Sequence, residues 1–407
     1  MKVLFVVTAY PRHDDDVITP WMGETIRRLR RAGVDVEVLA PAYKGGGATS
    51  LEGVRVHRFR YAPSMVETLT HDMPAVDRIR RNPLSALLLP SYVAAGSAAA
   101  ARIARNGDFD IVHAFWPIPH GLFAIAAKRA SRASLVSTFF SAELNWNGLL
   151  RRVFAPVIRA IVSNSDAVTV ISTYTGERLA QYVPGVESVT IPFGAAAVRQ
   201  SISATPVSRE ADDPFELLFI GRLVRRKGVD VLLRAVSILA ADTRLQVRIV
   251  GRGPESENLI AEAARLRLRD RVIFEGLVAP ERVHDLLQSC DALVLPAIIT
   301  ETGETEGLGV VLIEAMGYGK PVIATSAGGI VDIVRDGETG LLAPAGDAQA
   351  LADTIVKAMD EPEELARIAM QGAAFAERAF GWDAIVRALL EVYESAAATR
   401  TGAKRGR

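Results

Sequence analysis

Apolar runs of three to six residues, separated by segments with one apolar face at helical spacing, set the pattern of the first half of the chain. Val3–Val7 reads as the first strand, and Trp21–Arg31 places Met22, Ile26 and Leu29 on one helical face. Gly33 closes that helix, and Val34–Leu39 and Val54–Phe59 follow as strands. Ile111–His113, Leu135–Thr138, Ala167–Ile171 and Ser188–Ile191 continue the strand series. Helical segments at Gly121–Ala130, Leu149–Val162 and Thr175–Gln181 separate most of them. Alternating strands and helices argue an α/β fold, a parallel sheet covered on both faces.

The alternation stops at Ala195–Pro214, rich in Ser, Ala and Pro, and restarts at Phe215. Leu217–Ile220, Gln246–Val250, Val272–Phe274 and Ala292–Leu295 read as strands, with helices at Val229–Leu239 and Glu255–Leu266. From Asp347 to Ala398 the pattern is helical, broken at Phe380-Gly381-Trp382. The expected organisation is an N-terminal doubly wound domain (1–195), a linker (196–214) and a second doubly wound domain (215–380). A terminal helix (381–398) and a basic, disordered tail (399–407) complete it. The strand C-terminal ends of the two domains are expected to face one cleft.

Composition narrows the class. The 407 residues are about half apolar and under a quarter charged, as in a soluble globular protein of two domains. Formal charge is zero, with a surplus of six positive charges over residues 1–197 and an equal deficit beyond. That asymmetry is too mild for a nucleic-acid binder. One cysteine, Cys290, reads as a buried thiol and fits a reducing cytoplasm. The start, MKVLFVVTAY, runs into Pro11 and reads as a strand rather than a signal peptide. Asn82–Ala101 has no charge over 20 positions, but Pro90, Gly96 and its alanines make a buried helix the better reading than a membrane span.

The stretch Ile298–Gly329 concentrates the chemistry. A strand ending at Leu295 gives way to an acidic, glycine-bearing loop, and a helix begins near Gly309. Gly317, Gly319 and Pro321 end the helix, and Val322–Thr325 is the next strand. Unpaired amides at such a helix N-terminus suit a phosphate. Glu306 lies just before the helix and Glu314 about one turn inside it, placed to accept bonds from hydroxyls. A solvated loop acid and a surface helix acid remain the plain alternative.

Here the residues carry a resemblance. Glu306-Gly-Leu-Gly-Val-Val-Leu-Ile-Glu314, with the following GYGKPVIATSAGGIVDIV and DGETGLL, resembles the E-x7-E region of the retaining family 4 glycosyltransferases. The resemblance implies the GT-B fold, two Rossmann-like domains facing a central cleft, with a terminal helix returning to the first. It implies sugar transfer from a nucleotide-diphosphate donor, with no cofactor and no metal. Phe219-Ile-Gly-Arg-Leu-Val-Arg-Arg-Lys-Gly228 resembles the family's G-R-L-x-x-x-K-G element. By that resemblance Arg222 and Lys227 hold the diphosphate, stabilising charge that grows on the leaving group. Arg225 and Arg226 read as surface bases. Gly221, Gly251 and Gly253 form turns flanking the nucleotide, and the stretch through Val278 offers backbone atoms to the base. Glu314 is expected on the ribose hydroxyls and Glu306 on the donor sugar. The amides around Leu308, Gly309 and Val310 are expected on the distal phosphate.

The first half departs from the family pattern. Arg12-His-Asp-Asp-Asp16 stands where a Gly-Gly element is usual, and its acidic trio reads as a solvated loop. Ile111–Trp116 has Phe115 in place of a histidine. Ser137-Thr-Phe-Phe-Ser-Ala-Glu143 stands where T-x-H-G-x-D is expected, so Phe140 replaces the family histidine and Ser141 the glycine. The sugar or acceptor side is therefore assigned to His120, Phe140 and Ser141, with an apolar ring favouring a sugar that lacks a 6-hydroxyl. No His, Asp or Cys cluster has metal-ligand spacing. Arg151, Arg152 and Arg159 accompany Leu149, Leu150, Val153, Phe154, Val157 and Ile158 on one amphipathic segment. It fits either a helix packed on the sheet or a peripheral membrane contact. The expected partners are a nucleotide sugar and a glycan, lipid-linked or small-molecule acceptor, with no nucleic acid. The expected place is the cytoplasm, with possible contact to the inner membrane face. A two-carboxylate glycoside hydrolase and a noncatalytic nucleotide-sugar-binding protein remain open.

Overall fold

Strand β5 (Ile111–Phe115) shows how the period-two pattern builds the first sheet. Val112 and Ala114 join the apolar core beneath Phe123, Ile158 and Tyr182, while His113 points the other way, toward Tyr393. A computed structural model describes residues 1–13, 16, 18–73, 75–146, 148–194, 213–239 and 243–402. The chain divides into two compact units, Met1–Pro192 with Trp382–Arg407, and Phe193–Gly381. Most of the expected linker lies outside the described residues, as does the tail beyond 402.

Unit 1 adds β1 (Lys2–Val6), α1 (Pro20–Arg31), β2 (Asp35–Pro41), β3 (Ser50–Leu51), β4 (Val54–Phe59), α2 (Ala75–Arg81), α3 (Leu89–Asn106) and α4 (Pro117–Ala130). Then come β6 (Ser134–Phe139), α5 (Gly148–Asn164), β7 (Ala167–Val170), α6 (Thr173–Ala180) and β8 (Val189–Thr190). The sheet order is β3-β4-β2-β1-β5-β6-β7-β8, parallel except for the β3–β4 pair. In register, Val3 stands beside Val36 on one side and Ile111 on the other.

Unit 2 is a wholly parallel sheet, β11-β10-β9-β12-β13-β14. Its chain order is β9 (Phe215–Ile220), α7 (Val229–Ile238), β10 (Leu245–Val250), α8 (Ser256–Arg265), β11 (Val272–Gly276), α9 (Pro280–Ser289) and β12 (Ala292–Leu295). There follow α10 (Val310–Gly317), β13 (Val322–Thr325), β14 (Leu341–Ala343), α11 (Ala348–Asp360) and α12 (Pro362–Phe380). Its central strands β12 and β13 are continuous apolar runs buried on both faces, whereas β10 alternates Gln246 and Arg248 with buried Leu245, Val247 and Ile249. Cys290 is buried between α9 and β12.

The last helix, α13 (Trp382–Gly402), packs on β5, β6 and β7 of unit 1. Polar contacts fix it: His113 Nδ1 lies 2.7 Å from Tyr393 Oη, its Nε2 2.6 Å from Thr138 Oγ1, and Ser134 donates to Ala396 O. Burial pushes His113 down to about 3, so the ring is neutral and bridges donor and acceptor.

Three expectations change. The segment 82–106, uncharged as far as Ala101, forms a 3-10 turn (Pro83–Leu88) and α3, and only one face of α3 (Tyr92, Gly96, Ala99, Ala100, Ala104) is buried. Its alanines let it lie close on α4 without filling both sides. The tail expected from 399 is helical as far as Gly402. Asp16, expected in solvent, accepts from Arg12 N and Nε and lies 3.0 Å from His71 Nε2, while Asp14 and Asp15 lie outside the described residues.

Candidate active site

At the C-terminal edge of the unit 2 sheet, consecutive strands end in glycine turns that are pressed against one another. After β9, Gly221 donates to Val250 O and Leu223 to Arg252 O, tying the first turn to the turn after β10. A Cβ on Gly251 (φ 133°) would stand 1.9 Å from Gly221 O, so no other residue fits. A Cβ on Gly253 would meet Leu223 O at 2.1 Å. Gly228 (φ 66°) ends the 3-10 turn Arg225–Lys227 and starts α7, again with main chain too close for a side chain. This zipped backbone places Arg222 and Lys227 on one short loop.

The loop after β12 supplies the acids. Gly329 N donates to Glu306 O at 2.9 Å, which pins the Glu306 main chain against the turn after β13. Glu306 is nearly buried, and its Oε2 lies 2.6 Å from Lys227 Nζ. Burial pushes the carboxyl up, but Lys227, then Arg226, then the Leu308 amide outweigh it and hold it below the usual range. Glu306 is therefore an anion paired to a lysine. Arg226, read from sequence as a surface base, acts on this carboxylate. Four bases in six residues concealed it, because only tertiary proximity tells them apart.

Gly309 (φ 91°) caps α10, whose first-turn amides at Val310 and Val311 lack partners within the helix. The Leu308 side chain is buried and its amide serves Glu306, so its part in any ligand contact is indirect. Glu314, four residues into α10, differs from Glu306. Burial alone pushes it up to about 7. Gly276 (φ 70°) ends β11, leaving Leu277 exposed and Val278 half-buried. Gly221, Arg222, Lys227, Gly251, Gly253, Val278, Glu306, Leu308, Gly309, Val310 and Glu314 thus all lie on strand-end turns or on the first two turns of α10 within one unit. Among the described residues no group of three His, Cys, Asp or Glu side chains is placed to hold a metal.

The residues assigned in unit 1 separate. Phe140 is 8% exposed and stacks on Trp116 at 4.3 Å between centroids, with Trp21 at 5.6 Å. His120 is 2% exposed; its Nε2 meets Tyr92 Oη at 2.9 Å and its Nδ1 meets Trp116 O at 3.0 Å. Both nitrogens are engaged inside the α3–α4 packing and burial pushes the ring down to about 4, so the expected sugar-facing role does not match its position. Ser141 (φ 76°) bonds Thr175 through its hydroxyl. Glu143, which ends the Ser137–Glu143 stretch and stands at the acidic position of the T-x-H-G-x-D pattern, is buried and pushed up to about 7. It accepts from Phe140 N at one oxygen and finds no partner among the described residues at the other. The aromatic cluster was hidden in sequence because Trp21 lies at the start of α1 while Trp116 and Phe140 follow β5 and β6, three separate places along the chain.

Residues 21–195 match the family model described as Glycosyltransferase Family 4, and residues 203–375 the model described as Glycosyl transferases group 1. The chain is 32% identical over 297 residues to the phosphatidyl-myo-inositol mannosyltransferase of Mycobacterium leprae, covering 72% of this chain and 75% of that protein. The chain belongs to the family 4 glycosyltransferases. It is a nucleotide-sugar-dependent glycosyltransferase. A GDP-mannose-dependent alpha-(1-6)-phosphatidylinositol monomannoside mannosyltransferase of Mycolicibacterium smegmatis is 28% identical over 361 residues, 84% of this chain and 93% of that one. Among solved structures, the sucrose-phosphate synthase of Thermosynechococcus elongatus superposes with TM-score 0.75 at 23% identity, covering 98% of this chain and 99% of that one. That likeness establishes the GT-B architecture of this glycosyltransferase.

Proposed function

We propose that unit 2 binds a nucleotide-diphosphate sugar without a metal ion and that transfer retains the anomeric configuration. The observation that carries this reading is the 2.6 Å Lys227–Glu306 pair, set beside the Arg222 turn and the N-terminus of α10. Arg222 and Lys227 neutralise the diphosphate as the sugar–phosphate bond breaks, and the amides at Gly309 and Val310 receive its distal phosphate. Glu314 accepts from the ribose hydroxyls, and Glu306, once the diphosphate shares Lys227, from a sugar hydroxyl. Gly221, Gly251 and Gly253 let the backbone approach, and the main chain at Val278 borders the base. The bond from the acceptor oxygen forms at the anomeric carbon as the phosphate oxygen leaves, and the acceptor proton passes to that departing oxygen.

The test is transfer measured in EDTA. Undiminished turnover is expected; loss of most activity, restored by magnesium, overturns the metal-independent reading. The relatives named for phosphatidyl-myo-inositol and for a phosphatidylinositol monomannoside support a lipid-linked or glycan acceptor in cell-envelope synthesis, at the cytoplasmic side of the membrane. Exposed Leu150 and Val153 beside Arg151 and Arg152 on α5 support a peripheral membrane contact. Arg151 already donates to Gln181 O and Arg159 to Tyr182 O, which leaves Arg152 as the main cation of that face. Sedimentation with anionic vesicles at low salt should carry the protein down, and Arg152→Glu should reduce it.

A further inference from the structure

β10 and β11 are parallel neighbours, so the turns that leave their C-terminal ends lie side by side. The first holds Arg252 between Gly251 and Gly253; the second holds Gly276 and Leu277. Gly251 N donates to Gly276 O at 2.7 Å, which locks the two turns together. The Arg252 guanidinium lies over Gly276: a Cβ there would stand 3.5 Å from its Nε and 3.6 Å from its Nη2. Glycine at 276 keeps that approach open. The acid close by on β11, Glu275, is taken by Arg248 at 2.7 Å and Arg282 at 3.7 Å. Arg252 is exposed and forms no ion pair with a described residue. Beside it Leu277 is 71% exposed, a large apolar side chain at the edge of a sheet where ligands dock.

A flat ring with an apolar face for Leu277 and two adjacent acceptors on one edge for a guanidinium fork fits this pair of turns. Guanine offers O6 and N7 in that arrangement, whereas adenine sets an amine beside N7 and opposes a donor to a donor. We propose that Arg252 reads the base of the donor and selects a guanine nucleoside diphosphate over an adenine one. The proposal rests on the donor site placed in unit 2 above. Uracil, with one carbonyl on the corresponding edge, falls between them.

Calorimetric titration of the full chain with GDP, UDP and ADP tests it. The wild type should bind GDP at least about tenfold more tightly than ADP, as one bidentate base contact provides. Arg252→Ala should bring the two within about twofold, chiefly by weakening GDP. Arg252→Lys should lose the preference as well, since an ammonium lacks the fork. Equal binding of GDP and ADP to the wild type overturns the proposal, as does a ratio that Arg252→Ala leaves unchanged. Uniform weakening of all three ligands in Arg252→Ala also overturns it, because it would show attraction to phosphate alone. Failure of the donor site itself looks different: no nucleoside diphosphate binds, or Arg222→Ala leaves GDP affinity intact. Arg252 is exposed, so unchanged thermal unfolding of its variants checks that the fold is kept.

Discussion

The strand-end turns of the two units solve the same backbone problem with different residues. In unit 2, Gly228, Gly251, Gly309 and Gly328 take the positive φ angles at these turns. In unit 1 the corresponding angles fall on Thr19 (47°), Trp116 (48°) and Ser141 (76°), which carry side chains. Left-handed backbone costs a non-glycine residue roughly 1–2 kcal/mol, so unit 1 holds strain at these turns that the glycines of unit 2 avoid. The bare turns of unit 2 leave main-chain amides and two cations at the surface, suited to a phosphate. The turns of unit 1 instead carry indole and phenyl rings that pack on one another. The edge of unit 2 is therefore built from backbone, and that of unit 1 from side chains.

The contrast breaks most sharply at Gly228. A Cβ there would stand 1.8 Å from Pro296 O, so Gly228→Ala should cost about 3 kcal/mol in urea unfolding. Loss below about 0.5 kcal/mol would show that the turns of unit 2 are not packed as described. Next in size, Arg222→Ala and Lys227→Ala should each lower turnover by roughly 10²-fold, as for a preorganised charge partner. Lys227→Ala should also destabilise the fold, because it leaves Glu306 buried without its cation. Near-native rates in both variants would remove the cations from the mechanism.

The two acids should then fail differently. Glu314→Ala should weaken nucleotide binding by about tenfold with little change in turnover, since ribose contacts scarcely alter along the reaction. Glu306→Ala should mainly lower turnover, and equal losses of nucleotide affinity would refute the split.

Each unit also buries one carboxyl pushed up to about 7, Glu143 in unit 1 and Glu314 in unit 2. A raised carboxyl binds its proton more tightly in the folded state, so its contribution is full below the unfolded value and is lost as pH rises toward 7. Between pH 5 and 8, Glu143→Gln and Glu314→Gln should each lose less stability than the wild type in denaturant titrations. Parallel curves for wild type and variant would show that the group is not held protonated.

The smallest effect sharpens the comparison in unit 1. Ser141→Gly and Ser141→Ala both remove the hydroxyl bonded to Thr175, but only glycine relieves the 76° backbone. Ser141→Gly should be more stable than Ser141→Ala by about 1 kcal/mol. Equal stabilities would mean that the turn relaxes at no cost.

By itself the sequence determined the elements whose signals are local. The strands Ala292–Leu295 and Val322–Thr325, and the helix starting after Gly309, follow from apolar runs bounded by glycine and proline. The candidate residues of unit 2 were legible for the same reason: Gly221–Gly228 and Glu306–Glu314 each lie within nine or fewer consecutive residues. Tertiary structure decided what sequence spacing cannot carry. Glu306 and Lys227 are 79 positions apart and form one ion pair. His113 and Tyr393, 280 positions apart, tie the last helix to the first sheet. His120 has the sequence context of a loop histidine, yet the packing of α3 on α4 buries it. Trp21, Trp116 and Phe140 look like scattered aromatics until the order β1-β5-β6 brings the start of α1 and the ends of β5 and β6 side by side. A parallel sheet places strand ends together regardless of their distance along the chain. Residues within one turn could be read in line, whereas those that meet across turns required the fold.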